Sequence, residues 1–417
     1  MNLKNLIIPL AVLVLLVLLF VFVLPYNQPV QQHNQSSSQL SNQSINYSSN
    51  HSSNQSLSLN DTKPTKIQWV CGSTHNHILI SEFENGSEQR VKSLHEAIAA
   101  SKEAGMSFIV LSEKGAIYDD GTNGKGWQDM LRECNNVTSA DFVCLYGQEI
   151  CTHGEAKEPI GHFVTVDNNE YITGPSLAMA ENKTTKEIIS GIVDNAHKQN
   201  AVAILAHPFY KKSISIGYNY NRWDLLDWDA LEIINGVIDD AANQEAKDKL
   251  YDLWNQGIRK SAVGGADLKT IVYAGNSTGI VDREVMKNKL MGGFTCLYLG
   301  ELDRKNIKGA IKNGNGYVSS GPRIKNFAIN GAMMGQNLSI KTGYSLSVTI
   351  GAKDSSKIKQ VILIENDQAL KTFYPMSEDF STTFSLYNLT PGSNWYSLEV
   401  YSQNGMAVAN AIWVNNK

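Results

Sequence analysis

The folded part of the chain is expected to begin near Ile67, where short apolar runs start to alternate with segments of helical periodicity. Most of these runs are continuous rather than alternating, as in strands that are covered on both faces. This succession is typical of βα units around a parallel sheet or barrel. The predicted strands read IQWVCGST, MSFIVLSE, DFVCLYGQE, GHFVTVD, AVAILAHP, LEIING, KSAVGGAD and FTCLYLG.

Four segments between these strands have the periodicity and the end signals of helices. Each begins with polar residues and most stop at a glycine, which readily adopts the left-handed conformation that ends a helix. They read VKSLHEAIAASKEA before Gly105, TTKEIISGIVDNAHKQN before a strand, QEAKDKLYDLWNQ before Gly257, and DRKNIKGAIKN before Gly314. The region 67–322 is therefore predicted to be an α/β domain.

After Gly321-Pro322 the pattern changes to alternating strands separated by turn signals. We predict a small all-β sandwich over residues 323–417. Its sequence does not cluster His, Asp, Glu or Cys, so it is expected to pack on the α/β domain or to bind a ligand rather than to carry chemistry.

The N-terminal segment reads as a membrane anchor. Residues 6–24 contain no charged residue and match the roughly 20 residues that cross a bilayer. Lys4 precedes them and no charge follows until Asp61, which places the N-terminus in the cytoplasm and the remainder outside. No small-residue cleavage site follows, so residues 1–25 are predicted to be an uncleaved single-pass anchor.

Residues 26–66 are rich in Asn, Gln and Ser and are predicted to be a disordered tether. Such a composition produces Asn-X-Ser/Thr sequons by chance, but their density is also that of a glycosylated stalk outside the cytoplasm. Six sequons lie in the tether, at Asn34, Asn42, Asn46, Asn50, Asn54 and Asn60, and six follow it, at Asn85, Asn136, Asn182, Asn276, Asn337 and Asn388.

Charge and cysteine usage narrow the function further. A net charge of −4 and a pI near 6.2 give no basis for binding nucleic acid, so a small-molecule partner is expected. The five cysteines lack CxxC spacing, which argues against a zinc ribbon or a redox pair. Cys134 with Cys144 or Cys151 is a candidate disulfide, and buried free thiols are the alternative.

Histidines and carboxylates recur at the ends of predicted strands. His75 and His77 form an HxH pair directly after the first strand, and residues two apart point to the same face. Strand ends converge on one mouth of a barrel, so residues distant in sequence meet there. Four imidazoles and two carboxylates suit two divalent ions such as zinc, iron or manganese, with an acidified bridging water as nucleophile. The set comprises His75, His77, Glu149, His162, His207 and Asp267.

Over Gly72 to Lys417 the chain resembles the PHP (polymerase and histidinol phosphatase) family, in particular its CehA/McbA-type branch with a C-terminal sandwich. STHNH is similar to the family motif DLHTH, FIVLSEK to FIAITDH, GQE with the following GH to GxE and GH, AILAHP to AHP, and GGADLK to GSDAH. The resemblance implies a distorted βα barrel of PHP type. It makes His75, His77, Glu149 and Asp267 ligands of one metal, and Glu149, His162 and His207 ligands of the second, with Glu149 as the bridge.

The chain departs from the family pattern at the positions that ordinarily help to hold a third metal. Lys114 replaces the His of TDH, and Lys269 replaces the last His of GSDAH, while Glu82 lies where an acid is often found. An ammonium group cannot ligate a metal. We hypothesise that Lys114 and Lys269 supply fixed positive charge in place of that cation, pairing with Glu82 or with an anionic substrate oxygen. The alternative is loss of catalysis, which Ser73, in place of the motif's first Asp, also favours.

Three further histidines are less favoured as metal ligands. His153 lies in a predicted loop four residues after Glu149 and competes with His162, but the GHF sequence that opens a strand favours His162. His95 and His197 lie in predicted helices without an acidic partner pattern, so both are expected to be surface or packing residues.

These observations predict a metal-dependent hydrolase with two divalent ions, acting on a phosphate ester outside the membrane. Hydrolysis of a carboxylic ester, amide or carbamate at the same site is a close alternative. A metal-containing surface module without catalysis is a second alternative, and an adhesion protein is a third, which leaves the six ligands unexplained. The amidohydrolase superfamily uses a similar ligand set, but Glu149 in GQE favours the PHP interpretation.

Overall fold

A computed structural model describes residues 67–78, 87–114, 125–153, 159–172, 183–210, 220–274, 277–341 and 343–417. These described residues form one compact unit. Among the described residues, no helix combines the length and the apolar character needed to cross a membrane. The predicted anchor, the tether and Glu82 lie outside the described residues.

The first thirteen strands build the α/β part. They are β1 (Gln68–Ser73), β2 (Asn76–His77), β3 (Phe108–Lys114), β4 (Val143–His153), β5 (Pro159–Val166), β6 (Val202–Ala206), β7 (Ala230–Asn235), β8 (Ser261–Gly265), β9 (Leu268–Lys269), β10 (Ile271–Ala274), β11 (Ser277–Ile280), β12 (Phe294–Leu299) and β13 (Gly316–Ser319). Nine of them form a curled half-barrel sheet in the order β13-β12-β1-β3-β4-β5-β6-β7-β8.

The mixed α/β class predicted from the sequence is confirmed, but the sheet is not parallel throughout. Strands β1, β3 and β4 run parallel, as do β6, β7 and β8. Strand β5 is antiparallel to both of its neighbours, β4 and β6. Because β5 runs in the opposite direction, its beginning lies at the same edge of the sheet as the ends of the strands beside it.

The curl brings the last strand, β8, back towards β12 on the other side of the sheet. The Thr295 hydroxyl joins them, since it accepts a hydrogen bond from Gly264 N at 2.8 Å and donates to Gly264 O at 3.0 Å. A side chain thus supplies the hydrogen bonds between β8 and β12 that backbone groups supply elsewhere in the sheet. The strands β1, β3, β4, β6, β7, β8 and β12 are largely buried, which explains their continuous apolar sequences.

Six helices occur among the described residues. They are α1 (Ser87–Glu103), α2 (Lys125–Val137), α3 (Thr185–Lys198), α4 (Asp240–Asn255), α5 (Arg283–Leu290) and α6 (Arg304–Asn313). Helix α3 begins with a capping box between Thr184 and Glu187, an arrangement in which the capping side chain contributes about 1 kcal/mol. Helix α6 ends at Gly314, whose φ of 69° is the left-handed conformation expected there.

The remaining ten strands follow Pro322. They are β14 (Arg323–Ile329), β15 (Ala332–Met333), β16 (Asn337–Ile340), β17 (Leu346–Ile358), β18 (Gln360–Glu365), β19 (Gln368–Phe373), β20 (Ser377–Leu386), β21 (Gly392–Tyr401), β22 (Met406–Ala409) and β23 (Ile412–Asn416). Four of them form a separate sheet in the order β15-β14-β17-β20, and the others extend the curled sheet.

Both sheets of this C-terminal part bury side chains in one hydrophobic cluster, with Phe327 and Val348 from one sheet and Leu363 and Leu398 from the other. The curled sheet runs into this region without a break, because β22 pairs with β13. The boundary predicted between residues 322 and 323 stays a prediction.

A buried ion pair connects helix α4 to the C-terminal part. Lys247 Nζ lies 2.7 Å from Glu399 Oε1, and both side chains are almost fully buried. Tyr251 and Tyr401 also donate their hydroxyl protons to Glu399, at 2.9 and 2.6 Å. Because every partner of this buried carboxylate is a donor, the desolvation cost of Glu399 is offset at this joint.

Two disulfides are present among the described residues. Cys134 bonds to Cys144, one of the two pairings considered from the sequence, and Cys71 bonds to Cys296 across the antiparallel pair β1 and β12. The second pairing links residues that are 225 positions apart, so no local signal indicated it. Disulfides of this kind persist in oxidising compartments.

Candidate metal centre

The HxH pair lies where the chain leaves β1. His77 belongs to the short strand β2, which pairs in parallel with β9, so that His77 is opposite Lys269. The intervening Asn76 is buried, and its side-chain amide donates to Ser73 O at 3.2 Å and to Val110 O at 2.9 Å. These bonds hold the turn, so that both imidazoles remain buried, each with a relative exposure of 1%.

Three of the other four predicted ligands come from the middle of the sheet. Glu149 lies on β4, and His162 lies near the start of the antiparallel strand β5. His207 follows β6 directly and has a φ of 25°, a conformation that costs a residue with a side chain about 1–3 kcal/mol. The reversed direction of β5 is what brings His162 to the same end as the other two side chains.

Glu149 is at the centre of the cluster. Its Oε1 lies 2.5 Å from His162 Nδ1 and 3.2 Å from His207 Nε2, whereas its Oε2 lies 3.5 Å from His77 Nε2. His75 Nε2 is 3.6 Å from Oε1. The carboxylate of Glu149 therefore lies between all four imidazoles, three of them nearest Oε1 and His77 nearest Oε2.

Asp267 completes the side of the cluster that holds the HxH pair. Its Oδ1 lies 3.1 Å from His77 Nε2 and 3.9 Å from His75 Nε2. Asp267 also has a positive φ, 45°. Lys269 Nζ lies 2.7 Å from the same oxygen and its side chain is 37% exposed, so an ammonium group is present at the rim of the site. The structure thus brings together all six side chains predicted as ligands.

Glu232, on β7, belongs to the site and was not identified from the sequence. Its carboxylate lies 3.2 Å from His75 Nδ1, on the side of the ring opposite to Glu149, and accepts hydrogen bonds from His207 N at 2.9 Å and Asn235 Nδ2 at 3.1 Å. A carboxylate in this position orients a ligating imidazole and fixes its tautomer. The available signal was a single charge in a strand that is otherwise apolar, because lone buried carboxylates are rare.

Gly265, at the end of β8, makes this arrangement sterically feasible. A Cβ atom at residue 265 would lie 2.4 Å from the Cβ of His75 and 2.7 Å from Oε1 of Glu232. Both distances are far shorter than any real contact, so only glycine allows His75 to pack between β8 and Glu232.

The donor atoms fit divalent cations. Three groups have ligand atoms that all lie within 4.8 Å of one another: His75, His77 and Glu149; Glu149, His162 and His207; and His75, His207 and Glu232. His75 Nε2 and both ring nitrogens of His77 are buried and form no hydrogen bond of regular geometry among the described residues. Buried polar atoms are rarely left unsatisfied, and imidazole with carboxylate is the donor set of zinc, manganese and iron sites.

The electrostatics of the cluster also favour cations. Burial disfavours the charged form of Glu149, but His162, His207 and His75 outweigh this effect and hold its pKa well below the usual range. The pKa of Asp267 is lowered in the same way, against burial, by His75 and His77. Burial lowers the pKa of His77 to about 4, which leaves this imidazole neutral and able to ligate at neutral pH.

His75 differs from His77 because more carboxylates face it. Burial lowers its pKa, but Glu232, Asp267 and Glu149 outweigh burial and raise the pKa well above the ordinary value. In a cluster without metal a proton on His75 therefore compensates part of the buried negative charge. A divalent cation would provide the same compensation more strongly.

The remaining candidate residues from the sequence either lie outside the described part or lie away from the cluster. The backbone of Lys114 pairs with Glu149 in the β3–β4 register, but its side chain and that of His153 lie outside the described part, as does Glu82. His95 is exposed on α1. His197 lies on α3, and its Nε2 is 3.0 Å from Oδ2 of Asp229. Neither is part of the three groups of ligand atoms, as expected.

Comparison with known proteins adds little to this geometry. No family model matches the chain. An uncharacterised protein of Chlamydia muridarum (strain MoPn / Nigg) is 29% identical over 161 residues, which cover 33% of this chain and 26% of the relative. One of Chlamydia trachomatis serovar D is 23% identical over 255 residues, which cover 51% and 38%. The chain thus spans well under half the length of either relative.

Two solved structures with partial similarity are bacterial proteins. PsfC from Pseudomonas syringae aligns with a TM-score of 0.38 and 11% identity over 58% of this chain and 89% of its own. A Bifidobacterium adolescentis protein, provisionally described as a metal-dependent phosphoesterase, aligns with a TM-score of 0.31 and 11% identity over 53% and 95%. At these TM-scores and identities neither structure assigns a function to this chain.

We expect the substitution Glu232→Gln to weaken metal binding by about 10- to 100-fold, because His75 loses the carboxylate that orients it. Competition with a chromophoric chelator measures this affinity. Glu301→Gln, an exposed glutamate on the same domain, is the control and should leave the affinity unchanged. Equal affinities of Glu232→Gln and the wild type would exclude an orienting role for Glu232.

Proposed function

We propose that this chain is a metal-dependent hydrolase of PHP type, with two divalent ions in the cluster around Glu149. The observation that carries the proposal is the convergence of six donor side chains from separate segments, five of them buried and His162 partly buried. Among the described residues, His75 Nε2 and both ring nitrogens of His77 form no hydrogen bond of regular geometry. Five sequence motifs in the order of the PHP family support the same assignment. Zinc, manganese and iron all suit these donors.

The proposed ligand sets follow from the contacts of Glu149. Its Oε2 faces His77, which also contacts Asp267, and its Oε1 faces His162 and His207, with His75 Nε2 at 3.6 Å from Oε1. Glu149 would therefore bridge the two ions. When bound, such ions supply Lewis acidity and a water that is acidic enough to attack an ester at neutral pH.

The residues of the chain contribute positioning and charge. Glu232 holds His75 in place, and Asp267 remains ionised and bonded to Lys269 at the rim. An ammonium group next to the site favours an anionic substrate, which supports a phosphoester over a neutral ester, amide or carbamate. We propose that Lys114 assists in the same way, by pairing with Glu82 or with an anionic substrate oxygen in place of the third cation of the PHP family.

We expect full-length protein to contain about two divalent ions per chain and to hydrolyse a phosphomonoester or phosphodiester. His207→Ala should lose at least one ion, and its rate should fall about a hundredfold or more. Elemental analysis and a panel of phosphoesters and carboxylic esters measure both properties.

The matched control for that experiment is His95→Ala, which removes an exposed imidazole of α1 and should change neither metal content nor rate. Two ions without turnover on the panel would favour a noncatalytic capture module. Absence of metal after reconstitution would falsify the site.

Substitution of Lys269 distinguishes a phosphoester from an uncharged substrate. We expect Lys269→Gln to raise KM for a phosphoester about tenfold while leaving KM for a carboxylic ester nearly unchanged, because only the former loses a charge-assisted contact. Lys269→Arg should retain most of the affinity, and Lys357→Gln, which removes an exposed lysine of β17, should have no effect. Equal losses for both substrates would mean that Lys269 acts through Asp267 instead.

We further propose that the folded part lies outside the cytoplasmic membrane, attached by residues 6–24 through the tether of residues 26–66. The two disulfides support this location, because they form in oxidising compartments. The apolar N-terminal run and the density of sequons agree with it.

Proteolysis distinguishes this location from a cytoplasmic one. Protease added to intact cells should release a fragment that contains Cys71 and Cys296 in disulfide linkage, detectable by mass spectrometry without reduction. A cytosolic marker protein is the control and should stay intact. Protection of the folded part until the cells are lysed would contradict the proposal.

A further inference from the structure

A cleft at the opposite end of β8 from Asp267 has no role in the chemistry described above. It encloses about 290 Å³ and is lined by residues of α4, β8 and α6 on one side and of β16 and β23 on the other. Ser261 and Asp267 are six positions apart in the sequence, which is about 20 Å in extended chain. The cleft is therefore separate from the metal centre.

The charged residues that line the cleft are all basic. Arg259, Lys260 and Lys312 line it, and none of the residues that line it is acidic. Lys312 Nζ lies 3.5 Å from Asp229 Oδ2, and Lys260 Nζ donates to Trp228 O. Arg259 has no carboxylate partner among the described residues, so at least one cation in the cleft is uncompensated.

The guanidinium of Arg259 is held in place. It lies over the ring of Trp413, with Cζ 4.4 Å from the ring centroid, and Nη1 donates to Asn337 Oδ1. Stacking on an indole and a single amide acceptor fix the plane of the guanidinium without using all of its donors. A guanidinium held in this way is suited to bind an oxyanion.

Ser261 adds an independent observation. The residue is 5% exposed and lines the cleft, yet its Oγ has no hydrogen-bond partner within the described part of the chain. An unsatisfied buried hydroxyl is unfavourable, so an acceptor that enters the cleft and takes its hydrogen bond is favoured. Ser261 and Arg259 thus give the lining of one cleft two donors that can bind an anion.

We propose that this cleft binds a small oxyanion, either a phosphate or a carboxylate. Arg259 and Ser261 donate hydrogen bonds to the anion, and Lys312 and Lys260 contribute positive charge. Because the cleft is formed by both the α/β part and the C-terminal strands, the bound anion connects the two.

Isothermal titration calorimetry of the full-length protein with inorganic phosphate, and separately with acetate, tests the proposal. We expect saturable binding of at least one anion, weakened about tenfold by Arg259→Gln and by Ser261→Ala. Arg132→Gln, which removes the same charge from the exposed face of α2, is the control and should bind like the wild type. Any phosphate that binds at the candidate metal centre binds there equally in the wild type, the two variants and the control. Differences between their isotherms therefore report on the cleft.

The two anions identify the ligand class, since preference for phosphate indicates a phosphorylated ligand and preference for acetate a carboxylate. Melting temperatures of the variants should match that of the wild type, because Arg259 is exposed and Ser261→Ala removes only one hydroxyl. Isotherms of both variants that superimpose on the wild type would overturn the proposal. Absence of saturable binding would also overturn it and would mean that the cleft holds only water.

Discussion

The buried carboxylate of Glu149 is the constraint on which the arrangement of the α/β part depends. Transfer of an isolated carboxylate into a protein interior costs several kcal/mol unless positive charge or strong donors surround it. Here the compensation comes from His77 on β2, His162 on the neighbouring strand β5 and His207 directly after β6, which the curl of the sheet brings to the same carboxylate. The curl and the cluster therefore require each other.

The residues that pack around the candidate ligands are as closely constrained in position as the candidate ligands. His75 is packed between Gly265 and Glu232, and Glu232 also accepts the backbone N–H of His207. One side chain of β7 thus positions two imidazoles that lie 132 residues apart in the sequence. Positive φ angles at His207 and Asp267 show that the backbone accepts strain to place these side chains.

The two ends of β8 serve different purposes. Its C-terminal end leads to Asp267 at the candidate metal centre, and its N-terminal residue, Ser261, lines the cleft with Arg259 beside the C-terminal strands. Between them the strand is buried and held to β12 by Thr295. The continuous sheet from β8 through β13 to β22 makes the α/β part and the C-terminal strands one mechanical unit.

The sequence by itself located the strands of the α/β part and indicated which side chains meet at the candidate metal centre. Continuous apolar runs located eight strands, because burial on both faces imposes that composition, and strand-end His, Glu and Asp residues indicated the six donors. Only the tertiary structure decided the direction of β5, the role of Glu232, the pairing of Cys71 with Cys296 and the cleft at Arg259. Each of these depends on contacts between segments that are distant in the sequence, and local periodicity carries no information about such contacts.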